Sequence, residues 1–368
     1  MRPFSVFRGK RVLVTGCTGF KGSWLSVWLS ELGASVTGLA LGPPTRPSMF
    51  ETLKLASLID YHEGDVRDLN QVTRVLETAR PDFVFHLAAQ AIVQVSYDDP
   101  AGTFATNVLG TAHVLEALRR CDRAVTALVV TSDKCYDNVE WVYGYRETDR
   151  LGGKDPYSAS KGAAELVVQG WFHSFFAAAP SPVRLISARA GNVVGGGDWA
   201  PARLVPDCIR AWSQSHPVQI RRPRATRPWQ HVLEPLSGYL MAAERLFQDR
   251  ALTGEAFNFG PRAEANFSVL DLLNELANYW DFGGQAERFT VDDSAHFDEA
   301  TVLKLNCEKA SALLGWRPTL DFSDTARLTA SWYDRFYHGD AASLDALTRA
   351  QIREFVSLAE VKSSYRLV

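Results

Sequence analysis

Short apolar runs and longer helical patterns alternate along the first half of the chain. Val12-Leu13-Val14 reads as a buried strand. It runs into Thr15-Gly16-Cys17-Thr18-Gly19-Phe20-Lys21-Gly22, and a helical pattern follows, with Leu25, Leu29 and Leu32 on one side and Trp24 and Trp28 one turn apart. A second strand is expected over 34–39 and a third just before Gly64. Asp68 is placed to cap a helix through Val72, Val75 and Leu76. Phe83 to Ala89 reads as a fourth buried strand. A long helix over about 100–120 follows, with Val108, Ala112, Leu115 and Leu118 inward and Asn107 set among them. A fifth strand over 127–131, a helix opened by Pro156 and a sixth strand over 183–188 continue the alternation. Residues 268–280 read as one more amphipathic helix.

Strand, glycine turn, helix is the context that makes a glycine pattern a dinucleotide site. Gly16 lets the chain turn sharply, Gly19 lets backbone approach a pyrophosphate, and Gly22 lets the helix pack close to the sheet. The helix start then offers N–H groups and a partial positive charge to phosphates, with Thr18, Phe20 and Lys21 completing the turn. Sheets that prefer NAD place an acid about 20 residues past the glycines, for the ribose 2′-hydroxyl. This chain has Ala40-Leu41-Gly42 there, with Arg46 just beyond, so Arg46 or Lys21 is available to a 2′-phosphate. NAD is the expected cofactor, and NADP stays open on these residues. Asp65, followed by Val66, sits at a strand end where a carboxylate can accept from an adenine amino group. Leu87-Ala88-Ala89 ends the fourth strand in small residues, which lets a ribose lie against backbone.

The fifth strand ends in Ser132-Asp133-Lys134-Cys135-Tyr136. Ligands of open α/β sheets sit at the carboxyl ends of strands, so a hydroxyl, a carboxylate and an ammonium there are candidate chemistry. Tyr157 and Lys161 fall one helical turn apart on one face. An unperturbed tyrosine, with a pKa near ~10, is a poor base at neutral pH. A neighbouring ammonium favours the phenolate and can also hold a nicotinamide ribose, while Ser132 can hydrogen-bond a substrate oxygen.

Composition narrows the partners. The 368 residues are 46% hydrophobic and 22% charged, enough for one large or two modest cores. A net charge of −3 supports neither nucleic-acid nor anionic-membrane binding. No apolar run is long enough to span a bilayer, and since the N-terminus moves straight into the first strand no signal peptide is expected. Five scattered cysteines, without C-x-x-C, read as reduced thiols of a cytoplasmic protein rather than a zinc or disulfide framework, and no metal site is expected.

Taken together, Gly16 to Trp24 (GCTGFKGSW), Thr131 to Tyr136 (TSDKCY), Tyr157 to Lys161 (YSASK), Gly191 to Trp199 (GNVVGGGDW) and Arg227 to Leu236 (RPWQHVLEPL) resemble the extended short-chain dehydrogenase/reductase family. Within it the chain is most similar to the nucleotide-sugar 4,6-dehydratases, and Lys134, where many relatives have Glu, resembles the CDP-glucose branch. The resemblance implies an α/β chain: a Rossmann-type doubly wound parallel sheet with a smaller mixed α/β C-terminal substrate domain. It implies a dinucleotide domain over 1–190 and a sugar-nucleotide domain over 191–368, with about 232–262 returning to the first. Asn192, Arg203, Arg227 and Asn258 are then the expected ligands of the substrate diphosphate, among the cationic or titratable residues Arg203, Arg221, Arg222, Arg224, Arg227 and His231. Asn107 is expected to fix the region of the catalytic lysine. The family assembles as homodimers or homotetramers.

The implied reaction is an internal redox dehydration of a nucleotide sugar, CDP-glucose by this resemblance. Tyr157 takes the C4 hydroxyl proton, Asp133 protonates the departing C6 hydroxyl, and the cofactor is regenerated each turn. Lys134 is open between a C5 base, an electrostatic stabiliser of the enolate and a partner for Asp133. A 4-epimerase would need Tyr157 and Ser132 but no acid at 133. A dinucleotide-sensing protein without catalysis would need neither Tyr157 nor Lys161.

Overall fold

β1 (Arg11–Thr15) lies inside a seven-stranded sheet in which every neighbouring pair is parallel. The computed structural model describes residues 4–178, 181–220, 222–262, 264–284, 288–291 and 303–364. The other strands are β2 (Ser35–Ala40), β3 (Asp60–Glu63), β4 (Phe83–His86), β5 (Val125–Val130), β6 (Val183–Ala190) and a seventh, Ala256–Phe259. The spatial order is seventh, β6, β5, β4, β1, β2, β3. The winding reverses between β1 and β4, and in sheets of this kind a ligand crevice opens at the carboxyl ends beside that reversal.

Alternation along the central strands separates two cores. Val12 and Val14 join the face covered by the helices Phe20–Glu31, Leu233–Gln248 and Phe322–His338, while Leu13 joins the face covered by Leu69–Ala79, Gly110–Arg119 and Pro156–Trp171. Trp24 and Trp28 are fully buried in the first core. Losing a ring of that size to Ala costs about 3–5 kcal/mol. Burial on both faces explains why the strands read as continuous apolar runs rather than alternating ones.

The expected single helix over 100–120 is interrupted. Pro100–Phe104 is α-helical, Ala105–Leu109 forms a π turn, and Gly110–Arg119 resumes the α-helix. The wider turn carries Asn107, and such turns gather at functional sites.

The C-terminal half divides its work. The helix Leu233–Gln248 lies against β5 and β6, and the seventh strand extends the parallel sheet. The remaining segments form small pairings above the carboxyl edge. Val193–Val194 pairs with Gln230–His231, Thr226–Arg227 with Phe267–Ser268, and Val218–Ile220 with Phe289–Val291. The helix Val269–Ala277 opens with a reciprocal cap between Ser268 and Asp271. Among the described residues, no helix is long and apolar enough to cross a membrane and no His/Cys/Asp/Glu cluster has metal-binding geometry.

Candidate active site

The glycine turn is set by close backbone approach. Gly16 has φ 74°, and a Cβ there would lie 2.7 Å from the Ala88 nitrogen. A Cβ on Gly22 would lie 2.1 Å from the Gly16 carbonyl oxygen, so helix and turn touch where only glycine fits. Gly19 is the N-cap of the helix Phe20–Glu31, and no side chain caps it. Its Cβ position meets nothing closer than the Gly16 oxygen at 3.4 Å. An uncapped helix start with that room in front of it fits a dinucleotide pyrophosphate.

Neighbouring side chains brace this turn. Thr18 Oγ1 donates to the Leu41 carbonyl at 2.9 Å. Thr15 Oγ1 and His86 Nδ1 are 2.7 Å apart, and His86 Nε2 is 3.2 Å from Thr111 Oγ1. Burial, with Lys161 nearby, drives the His86 imidazole down to about 3, so it stays neutral. Asp65 accepts from Arg67 Nε at 2.8 Å, which holds its carboxyl below the ordinary range. Val66 is buried, and its carbonyl accepts from His113 Nδ1 at 3.0 Å. Leu87, Ala88 and Ala89 are half-buried along the crevice edge.

Asn107 ties the turn at Gln90 to the helix Pro156–Trp171. Its Oδ1 accepts from the Gln90 N–H at 2.8 Å, and its Nδ2 donates to the Gln90 carbonyl at 3.0 Å and to Ser160 Oγ at 2.9 Å. Ser160 adjoins Lys161, and Asp155 caps that helix through the Ser158 N–H.

At the end of β5 the Ser132 hydroxyl donates to Asp133 Oδ1 at 2.9 Å and accepts from the Lys134 N–H at 3.2 Å. Asp133 is almost sealed from solvent and presses on Gly191, where a Cβ would lie 2.0 Å from its carboxyl carbon. Among the described residues Lys134 makes no ion pair with Asp133. Tyr157 and Lys161 are also buried. Burial pushes the Tyr157 phenol up to about 12, opposed by Ser132 and Arg203, and burial lowers the Lys161 ammonium to about 8.

Behind these groups lies a sealed ion pair. Arg189 Nη2 donates to Glu165 Oε2 at 2.8 Å, with side-chain exposures of 0% and 1%. Glu165 also accepts from Thr131 and from Ser187, and Arg189 Nη1 donates to the Tyr136 hydroxyl at 2.7 Å. The pair therefore joins the Tyr157 helix to both ends of the segment carrying Ser132, Asp133 and Lys134.

Arg203 lies close enough to the end of β5 to act on its neighbours. It donates to Asp198 at 2.8 Å, and its charge acts on both Lys21 and Tyr157. Asn192 sits just past β6 in the left-handed region, φ 53°, with its carbonyl accepting from the Gln230 N–H at 3.1 Å. Arg227 lies on the short strand beside Phe267, its Nη1 donating to the Thr226 carbonyl at 3.0 Å.

Three expectations are corrected. Asn258 is fully buried, and both amide hydrogens are spent on the Tyr145 and Asn306 carbonyls at 2.8 and 3.2 Å, while Oδ1 accepts from Tyr136. It props the wall behind the site and has no N–H left for a phosphate. His231 is fully buried and held neutral, its pKa near 3, because burial disfavours the cation. Lys21 does not face the end of β2. Its Nζ donates to the Tyr239 hydroxyl at 3.4 Å and lies in the fields of Arg203, Asp133 and Lys161. Burial lowers that ammonium to about 7. Arg221 lies outside the described residues.

Sequence reasoning missed Tyr239 and Gln230. Gln230 Nε2 clamps the Gly191 and Phe259 carbonyls at 2.9 and 3.0 Å, fixing the glycine against which Asp133 rests. Nothing local marks Tyr239, and Gln230 lies inside the Arg227–Leu236 stretch without a chemistry of its own to single it out.

This arrangement, a parallel sheet with a glycine turn and Asp133 buried beside Tyr157, is that of an extended short-chain dehydrogenase/reductase. The family model described as GDP-mannose 4,6 dehydratase matches residues 13–329, and the chain belongs to that family. It is 47% identical over 337 residues to the CDP-glucose 4,6-dehydratase of Salmonella typhimurium, across 91% of this chain and 93% of that protein. It is 25% identical over 351 residues to the CDP-paratose 2-epimerase of Salmonella typhi, covering 88% of this chain and 98% of that one. The UDP-glucose 4-epimerase from Brucella ovis, solved in complex with NAD, superimposes with a TM-score of 0.74 at 21% identity, over 89% of this chain and 99% of that one. That last likeness carries the fold alone.

Proposed function

We propose that the chain is a CDP-glucose 4,6-dehydratase, a hydro-lyase that converts CDP-D-glucose to CDP-4-dehydro-6-deoxy-D-glucose. The observation that carries the reading is the Ser132–Asp133 bond: a buried carboxyl group tied to the hydroxyl that faces Tyr157. The 47% identical relative supplies the substrate.

The residues at the glycine turn, with Asp65, Asn107 and Lys161, fit a nicotinamide dinucleotide, and NAD is the form we assign. When bound, it supplies the hydride acceptor for C4 and the donor for C6. Tyr157 takes the O4 proton, with Ser132 holding that oxygen. The 4-ketone acidifies C5, and Lys134 is assigned to remove the C5 proton or steady the enolate. Asp133 protonates the C6 hydroxyl as it leaves as water. Two protons leave the sugar, from O4 and C5, and two are consumed, in forming water and in reprotonating C5. The proton account therefore closes inside the site. Asn192, Arg203 and Arg227 are assigned to the substrate diphosphate, since guanidinium groups suit phosphate oxygens.

Residues 1–190 form the dinucleotide half in this reading and 191–368 mainly the sugar-nucleotide half, with 232–262 returning to the sheet. The enzyme works in the cytoplasm as a homodimer or homotetramer. Exposed Tyr97, Leu109 and Leu166 on the helices of the dinucleotide half suit such an interface.

The test is incubation with CDP-glucose without added reductant, followed by mass spectrometry. Loss of one water with no net NADH supports the assignment. An unchanged mass with inverted stereochemistry at C4 points to epimerisation and sinks it.

A further inference from the structure

β2 ends without an acid, yet a carboxylate stands at its end. β2 and β3 pair in parallel with Ala40 opposite Glu63, so the last residues of the two strands lie side by side. Glu63 Oε1 lies 3.9 Å from the point a Cβ on Gly42 would occupy, and beyond the chain neighbours no other atom of the described residues comes within 4 Å of that point. Gly42 thus leaves open space bounded by a negative charge.

The turn beneath that space is held in place. The Leu41 carbonyl accepts from Thr18 Oγ1 at 2.9 Å and from the Tyr61 hydroxyl at 3.4 Å, and Tyr61 also donates to the Ala40 carbonyl at 3.3 Å. Burial together with Glu63 pushes the Tyr61 phenol up to about 12, so it stays a donor.

Of the two cations that sequence spacing offers to a 2′-phosphate, Lys21 is turned away and Arg46 stands loosely paired on the surface. Lys21 reaches Tyr239 at the catalytic end. Arg67 is paired with Asp65 at 2.6 Å. Arg46 lies 3.9 Å from Glu51, with 88% of its side chain exposed. A dianionic 2′-phosphate in the space beside Gly42 would face the Glu63 carboxylate.

We propose that Glu63 selects NAD over NADP, its carboxylate accepting from the adenosine ribose 2′-hydroxyl and repelling a 2′-phosphate. The acid this fold ordinarily carries on the second strand is here delivered from the third. The proposal rests on the dinucleotide half of the reading above and needs no sugar substrate.

The test is isothermal titration of the full-length, nucleotide-stripped protein with NAD⁺ and with NADP⁺. The wild type is expected to bind NAD⁺ at least tenfold more tightly. Glu63→Gln, an exposed and isosteric change, is expected to narrow that preference about tenfold, and Glu51→Gln to leave it unchanged. An unaltered preference in Glu63→Gln overturns the proposal. So does a wild type that prefers NADP⁺ and loses that preference in Arg46→Ala. A protein that binds neither dinucleotide overturns both this proposal and the reading beneath it. NAD⁺ selectivity lost in Glu63→Gln stands even if CDP-glucose is never dehydrated.

Discussion

Glu165 and Arg189 meet at 2.8 Å inside the protein, one from the helix that carries Tyr157 and Lys161, the other from β6 beneath Gly191. The pair is neutral overall and touches no solvent. Removing one charge leaves the other buried without a partner, which costs about 3–5 kcal/mol. Glu165→Gln should therefore lower the thermal midpoint sharply, read by circular dichroism. Glu165→Gln combined with Arg189→Met should recover part of the loss. A single variant as stable as the wild type would show that the pair holds nothing together.

Asp133 and Gly191 make a second close relationship, since a Cβ at 191 would overlap the carboxyl group. Gly191→Ala should displace the acid and reduce dehydration on the order of 10²-fold, the effect of misplacing a reacting group by about 1 Å. NAD⁺ affinity, measured by titration, should change little. Equal losses in both would show a fold defect instead.

In the proposed reaction Asp133 and Lys134 divide the elimination between them. Asp133→Asn should allow C4 oxidation, visible as enzyme-bound reduced nicotinamide, while stopping water loss. Lys134→Met should also permit oxidation and should stop solvent deuterium from entering C5. Deuterium incorporation at the wild-type rate would remove Lys134 from the role assigned to it.

Glu234 gives a pH signature of stability. It is fully buried, its Oε1 accepts from the Thr319 N–H at 2.8 Å and from the Leu320 N–H, and among the described residues Oε2 has no partner. Burial raises its carboxyl to about 8, from about 4.3 in an unfolded chain. The folded state then holds the proton more tightly. The resulting stability is fully present below the unfolded value and is lost as pH rises through the folded one. Between pH 5 and 8.5 the wild type should lose stability relative to Glu234→Gln. Urea midpoints at the two ends check this, and parallel curves would refute it.

The glycine turn was legible because its parts are neighbours in the chain, and close backbone approach admits one residue type at positions 16 and 22. Tyr157 and Lys161 were legible for the same reason, since one helical turn sets their spacing. The interruption at Ala105–Leu109 was not, because Asn107 draws on Gln90 and Ser160, partners that no local pattern predicts.

By itself the sequence determined the order of strands and helices, the turn at Gly16 and the placing of Ser132, Asp133, Tyr157 and Lys161 at strand and helix ends. Those features depend on contacts within a few residues. Only the tertiary structure decided which polar groups face the crevice and which are sealed behind it. Lys21 meets Tyr239 across 218 positions, and Asn258 meets Tyr136 across 122. Burial then turned His231 from a possible cation into a neutral ring and left Asn258 without a spare donor. The cost of desolvating a charge or amide depends on what the whole chain packs around it, and a linear pattern does not carry that information.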